Sequence, residues 1–381
     1  MSGRGGVYVH FPYCTHRCTY CDFTLQTPRV VPGRRYADLV LAELALRAEA
    51  FAGPAATLYI GGGTPSLWDV GELARVIDGV RARVGLADDA EVTVEANPDQ
   101  VDDAWIAGVQ RAGVNRVSLG VQALHDPLLA ALTRRHRVEG ALGAVARIAR
   151  AGLRSWSLDF MFGLPGQTAA AWRRDLERVA GLGAPHLSVY GLSVEPRTLM
   201  ARDVSRGAVT VPGSDAQADM LLAAREVLCA AGYEHYEISN YAVPGHRAVH
   251  NSSYWDWRPY LALGAGAHGF DGAARWQNEG RVKRYEEALL AGRLPELVRE
   301  VLDVETASFE RVMTGLRRLD VGVELGADWP RYAEAVRAEV AAGRLVVEGT
   351  RVRLSAAGFR LMDSVLVALM PAGLTAGVGR G

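Results

Sequence analysis

Three of the chain's four cysteines stand together in the run Cys14-Thr15-His16-Arg17-Cys18-Thr19-Tyr20-Cys21. Three thiolates are one fewer than a closed tetrahedral metal site requires. A [4Fe–4S] cluster held by this C-x3-C-x2-C loop would keep one of its four irons open to a molecule from solution, and an open iron serves chemistry rather than structural support. The competing reading is structural zinc, with His10 or His16 as the fourth ligand. Structural zinc favours paired C-x2-C knuckles, however, and the sequence has no second pair. The remaining cysteine, Cys229, lies in a helical pattern with Leu221, Leu222, Val227 and Leu228 and reads as a small buried hydrophobe.

A loop of this kind has to be positioned by regular elements. The first 200 residues alternate short β-branched runs with amphipathic helical runs, the pattern of βα units and a parallel sheet, so the fold class is α/β. Strands are expected over 7–11, 57–60, 91–95, 115–119, 155–160 and 186–190, with helices near 35–51, 69–84, 101–112, 138–151 and 168–182. Each strand leads directly into residues unusual for a mere connection: the cysteine loop, Gly61-Gly62-Gly63-Thr64-Pro65, Glu95-Ala96-Asn97-Pro98, Gln122, Asp159 and Glu195. In a parallel barrel these positions share the C-terminal rim, where barrel enzymes assemble their sites. Taken singly, each has a plainer explanation. Three glycines can make a tight turn as well as admit a ligand to the backbone, Glu95 and Asp159 can be helix caps, Gln122 can be structural, and Arg134 in Thr133-Arg134-Arg135-His136 can be a solvated charge. Joint placement on one rim argues for a site.

In combination these motifs resemble the HemN/HemW branch of the radical S-adenosylmethionine (SAM) superfamily, and the resemblance covers nearly all of the chain. It implies a partial (β/α)6 barrel. It also implies a [4Fe–4S] cluster on Cys14, Cys18 and Cys21 whose open iron chelates the amino and carboxylate groups of SAM. The family's SAM contacts fall on Gly62, Gly63 and Thr64, on Glu95 for the ribose, on Gln122, Arg134 and Asp159, and on Tyr8, six residues before the first cysteine. A guanidinium suits the SAM carboxylate and acids suit ribose hydroxyls. Tyr20 and Phe23 would shield the cluster from water. The implied chemistry is one-electron reductive cleavage of SAM, which calls for an electron donor as partner.

Within the branch, oxygen-independent coproporphyrinogen III dehydrogenases carry a long N-terminal segment and a further cysteine two positions after the third. Here thirteen residues precede Cys14, and Phe23 takes that cysteine's place. His250-Asn251-Ser252-Ser253-Tyr254-Trp255 matches the H-N-x-x-Y-W motif of the HemW heme chaperones, and Gly264-Ala265-Gly266-Ala267-His268 resembles another stretch of that group. The resemblance therefore implies a heme-binding protein that passes heme to acceptor proteins. His250 is the expected iron ligand, with His246 and His268 as the other candidates. The other two readings are a coproporphyrinogen dehydrogenase and a HemN-like radical methyltransferase or cyclopropanase. A histidine among Tyr254, Trp255, Trp257 and Tyr260 suits a flat macrocycle, and it equally suits an aromatic packing segment with a hydrogen-bonded core histidine.

Domains are expected over 1–240 for the barrel, 241–295 for a connecting segment and 296–381 for a C-terminal module. In that module, helices at 306–319 and 329–342, a strand pair at 345–347 and 352–354 and a helix at 356–369 give a winged-helix-like α+β order. Acids at 320, 324 and 328 with no basic run argue against DNA, so a lid over the barrel or a docking surface is the expected role. With 42 basic and 43 acidic residues among 381, and mean hydropathy near zero, no overall field recruits nucleic acid. The first strand starts too early to leave room for a signal region, and the longest apolar run, 365–370, is far short of a membrane span. A cytoplasmic location follows as the expectation, one that suits reduced thiolates. The Gly/Ala-rich tail after Pro371 reads as flexible.

Overall fold

The computed structural model describes residues 5–51 and 53–374. Six parallel strands lie side by side in chain order: β1 (Gly6–Phe11), β2 (Ala55–Gly62), β3 (Leu86–Ala96), β4 (Arg116–Gln122), β5 (Ser155–Phe162) and β6 (His186–Gly191). The helices between them are set by local chemistry. Asp69, Asp102 and Thr168 accept hydrogen bonds from first-turn amides at the starts of Val70–Arg83, Asp103–Arg111 and Ala169–Ala180. Stripes such as Leu73, Val76, Ile77 and Val80 face the sheet. The result is the α/β partial barrel expected from the alternation, with all six C-terminal strand ends on one rim.

The sheet continues past both barrel edges. Beyond β6 lie β8 (Asn240–Ala242) and β7 (Glu234–Glu237), both antiparallel, while beyond β1 comes β9 (Tyr260–Leu263), which runs parallel to it. Antiparallel β10 (His268–Phe270), β11 (Ala274–Asn278) and β12 (Glu296–Val301) complete that side. The stretch 241–295 is thus part of the sheet rather than a connector. β12, an edge strand exposed along nearly its whole length and carrying Glu296, Arg299 and Glu300, also belongs to the sheet and not to the C-terminal module.

One apolar core runs from Val7 to Leu289. A second gathers Phe309, Val312, Leu316, Tyr332, Val336 and Val365 under the helices Val304–Gly315 and Trp329–Ala341. Its antiparallel sheet, in the order β13 (Val323–Glu324), β15 (Arg351–Leu354), β14 (Leu345–Glu348), gives the winged-helix-like layout. The helix expected over 356–369 is two, Ala356–Phe359 and Met362–Leu369, broken where Leu361 leaves helical geometry at ψ 25°. Asp320, Glu324 and Asp328 each pair with an arginine, namely Arg247, Arg351 and Arg311. Cys229 is exposed, a correction to its buried reading: Met220, Ala224 and Leu228 form the inward stripe of Ser214–Ala230, and Cys229 follows Leu228 by one position, about 100° round the helix. No described helix is long and apolar enough to cross a membrane. The tail 375–381 and residues 1–4 lie outside the described residues.

Candidate cofactor site

At the C-terminal rim the cysteine loop closes over a cavity of about 320 Å³. Its lining brings together Cys14, Cys18, Cys21, Tyr20, Phe23, Gly62, Gly63, Thr64, Glu95, Gln122, Arg134 and Asp159, positions drawn from five of the six strands and their loops. Three others lie elsewhere. Tyr8 is inside the barrel, with its hydroxyl on His10 Nδ1 at 2.9 Å and its ring against Tyr59. Glu195 lies in the turn before Leu199–Ser205, where its carbonyl accepts from Thr198. His250 is in the core.

Backbone geometry explains the glycines. Gly63 N donates to Phe11 O at 2.7 Å and Thr64 N to Tyr13 O at 2.9 Å, which stitches the loop after β2 to the segment before Cys14. A Cβ on Gly63 would sit 2.7 Å from Tyr13 O, and one on Gly62 (φ 114°) 2.6 Å from His10 Cε1. Thr64 Oγ1 is 3.2 Å from Cys14 Sγ and accepts from Asn97 Nδ2 at 3.3 Å. From the far side, Thr133 holds the loop: its carbonyl accepts from His16 Nε2 at 2.6 Å and its hydroxyl from Thr19 N at 3.2 Å. Thr133 and Gln122 are both non-glycine residues with positive φ, 56° and 70°. Strain of this kind collects at functional sites.

Arg134 Nη2 donates to Asn97 Oδ1 (2.5 Å) and Gly120 O (3.0 Å). The cation is thereby held beside the thiols with hydrogen-bonding capacity to spare. Glu95 accepts from Tyr59 OH at 2.6 Å and Gly62 N at 3.1 Å, and Asp159 accepts from Ser118 Oγ at 3.0 Å. Both acids face the cavity, yet desolvation pushes Glu95 up to about 7 and Asp159 up to about 6. Burial likewise pushes the Cys21 thiol up to about 11 and raises Cys14.

The zinc alternative lacks its fourth ligand. His10 is closed between Tyr8 OH and Thr24 O, and His16 Nε2 is engaged by Thr133 O. Among the described residues, no three His, Cys, Asp or Glu side chains are grouped around a single ion. The chemistry of the donor set, three thiols lining one cavity, suits a polynuclear cluster. Below the thiols, the cavity's cation, paired acids and open glycine backbone suit a zwitterionic nucleoside such as SAM. Phe23 is 59 % exposed, so in this arrangement Tyr20 does the covering on the barrel side and Phe23 stands at the mouth. No described residue of the C-terminal module lines this cavity.

His250, the expected heme ligand, lies in the core. It is 1 % exposed, with Nδ1 on Thr57 Oγ1 and Nε2 on Tyr254 OH, each at 2.7 Å, and burial pushes it down to about 3. Neither ring nitrogen is free for iron, and the hydrogen-bonded core histidine is the arrangement found. His268 differs: it is exposed, and neither of its ring nitrogens has a partner among the described residues.

Several cavity residues were not singled out from the sequence: Tyr59, Arg116, Ser118, His186, Ser188 and Tyr190. Arg116 and Ser118 alternate along β4 and His186, Ser188 and Tyr190 along β6, so period-two alternation could have found these five.

The fold and the three-cysteine cavity define a radical SAM protein, and the radical SAM superfamily model matches residues 8–179. The chain is 37% identical over 372 residues to "Heme chaperone HemW" of Mycobacterium tuberculosis, covering 96% of this chain and 94% of that protein. It is 39% identical over 321 residues to the protein of the same name from Escherichia coli, covering 82% of each. It belongs to the HemW family within that superfamily. The solved structure of the Escherichia coli coproporphyrinogen III oxidase HemN, a radical SAM enzyme, superposes with a TM-score of 0.83 over 98% of this chain and 92% of that chain. At 20% identity that likeness speaks for the shared fold.

Proposed function

We propose that the chain binds heme and passes it to acceptor proteins, and that its rim cavity carries a [4Fe–4S] cluster and SAM served by an external one-electron donor. The observation that supports this reading is the end-to-end identity with proteins named heme chaperone. A bound SAM would supply a carbon–sulfur bond open to one-electron cleavage. Cys14, Cys18 and Cys21 would ligate the cluster, Arg134 would face the SAM carboxylate, and Gly62 with Glu95 would face its amino and ribose groups. A cytoplasmic location belongs to the same proposal.

For heme, support comes from an aromatic cavity remote from the cluster. A space of about 670 Å³ at the N-terminal end of β1 is lined by Phe51, Tyr260, Phe270 and Trp276. It shares Tyr260 and Phe270 with a second, of about 310 Å³, lined by Tyr254, Trp255 and Trp257. Aromatic faces suit a porphyrin plane. His268 lines neither cavity, but it lies two residues from Phe270 on the same face of β10 and has both ring nitrogens free of partners among the described residues, so we assign the iron ligand to it at the edge of the smaller cavity.

The test is anaerobic reconstitution followed by hemin titration and, in parallel, coproporphyrinogen III with SAM and reductant. A Soret band that His268→Ala weakens and His250→Ala leaves in place, with coproporphyrinogen unconsumed, is the expected result. Decarboxylation at enzyme rates, about 10 per second or within a hundredfold of that, would replace the chaperone with the dehydrogenase.

A further inference from the structure

The rim cavity reaches deeper than its acids. Ser118 on β4 stands at the register level of Glu95 and Ser157. Arg116, two residues earlier on the same strand face, lies about 7 Å nearer the barrel floor. It lines the cavity together with Asn251, His186 and Ser188.

Arg116 is 3 % exposed, yet its guanidinium donates no hydrogen bond to any described residue. Glu91 Oε2, its nearest acid, is 3.9 Å from Nε, beyond hydrogen-bond reach. The two oxygens of Glu91 are already engaged, accepting from Val249 N and His250 N at 3.0 Å each. Neighbouring polar groups are occupied as well: His186 is closed between Ser157 Oγ and Tyr236 OH, and Ser188 Oγ donates to Asn240 Oδ1. Asn251 is half-buried and its amide bonds to no described residue, and at the register position beside Arg116 the buried Thr93 Oγ1 has no partner either. A guanidinium whose Nε–H is buried without a partner is costly, and such groups are ordinarily paired.

We propose that this floor is a carboxylate-binding site, in which Arg116 and Asn251 hold the carboxylate of a small organic acid below the level of Glu95 and Asp159. A planar guanidinium fork matches a carboxylate bidentately. One cation that already shares its charge with Glu91 at 3.9 Å suits a monoanion better than a phosphate dianion. The small volume excludes a macrocycle. The site requires nothing of the heme reading, and it makes Asn251 the residue of the H-N-x-x-Y-W run that faces the rim cavity while His250 packs the core.

Propionate is the probe, titrated calorimetrically into the anaerobically reconstituted protein with and without saturating SAM. We expect saturable binding in about the millimolar range for so small a ligand, unaffected by SAM, and weakened at least tenfold by Arg116→Gln. Asn251→Asp leaves Arg116 in place and puts a resident carboxylate on the same floor, so it should abolish propionate binding and raise Tm. This second variant decides the matter if Arg116→Gln does not fold. Mutual exclusion of SAM and propionate, with weaker SAM binding in Arg116→Gln, would overturn the proposal by making Arg116 a SAM contact. Absence of saturable binding, or binding indifferent to both variants, would overturn it outright.

Discussion

Glu95 shows how a single carboxylate is tuned by its setting. Tyr59 OH and Gly62 N both donate to it, which favours the charged form, but desolvation outweighs them and lifts it from 4.5 to about 7. A carboxyl whose folded value is raised binds its proton more tightly in the fold. It therefore contributes stability below about 4.5 that is lost as pH rises through about 7. We expect the Tm of the protein without SAM to fall across pH 5 to 8, and Glu95→Gln, which is neutral throughout, to flatten that slope. An unchanged slope would place the titration elsewhere. The same substitution should weaken SAM binding about tenfold or more, since a hydrogen bond to a charged group contributes roughly 1.5–3 kcal/mol, and a calorimetric titration reads it. Glu95 was visible in the sequence because it ends a β-branched run and precedes Asn-Pro. Arg116 was not: a charge at the start of a strand usually faces solvent, and only the closure of the barrel turns that position inward.

Among the elements, the loop after β2 has the least freedom. Gly63→Ala would drive a Cβ to within 2.7 Å of Tyr13 O and 3.0 Å of Phe11 O, the same backbone that leads into Cys14. Since neither neighbour is a flexible side-chain tip, we expect a cost of about 1–3 kcal/mol. Iron and sulfide per chain should drop after reconstitution, and retention of a full cluster would show that the loop yields elsewhere. The helix Val249–Trp255 is constrained differently. Its first amides are held by Glu91, and His250 ties it to Thr57 and Tyr254. His250→Ala should therefore cost about 2–4 kcal/mol, from the cavity and the two stranded hydroxyls, and appear as a lowered denaturation midpoint. The six barrel strands were legible because each pairs with its predecessor through a local βα unit. Strand β9 was not, because it joins β1 from some 250 residues away and four residues of Tyr-Leu-Ala-Leu carry no mark of their partner. The burial of His250 was not legible for a related reason: a motif fixes residue types, whereas burial depends on what packs over them.

On the scale of the whole molecule, the two candidate cofactor regions occupy opposite ends of one sheet. The cluster cavity opens at the C-terminal ends of the strands, while the aromatic cavity includes Gly5, at the N-terminal end of β1. They have no lining residue in common. The cysteine loop is held by the backbone carbonyls of Gln26, Ala131 and Thr133 and supplies no residue to the core beneath the aromatic cavity, where Trp276, Leu261 and Leu289 pack. Changes at the two ends should therefore add with little coupling. Replacing Cys14, Cys18 or Cys21 with Ala is expected to remove iron and sulfide after anaerobic reconstitution while the circular dichroism spectrum and the Soret band with hemin persist. His268→Ala should do the reverse, keeping iron and sulfide and weakening the Soret band. Loss of heme binding in the cysteine variants would mean that the heme iron draws a ligand from the thiol loop, and the aromatic end of the sheet would then cease to be the heme site.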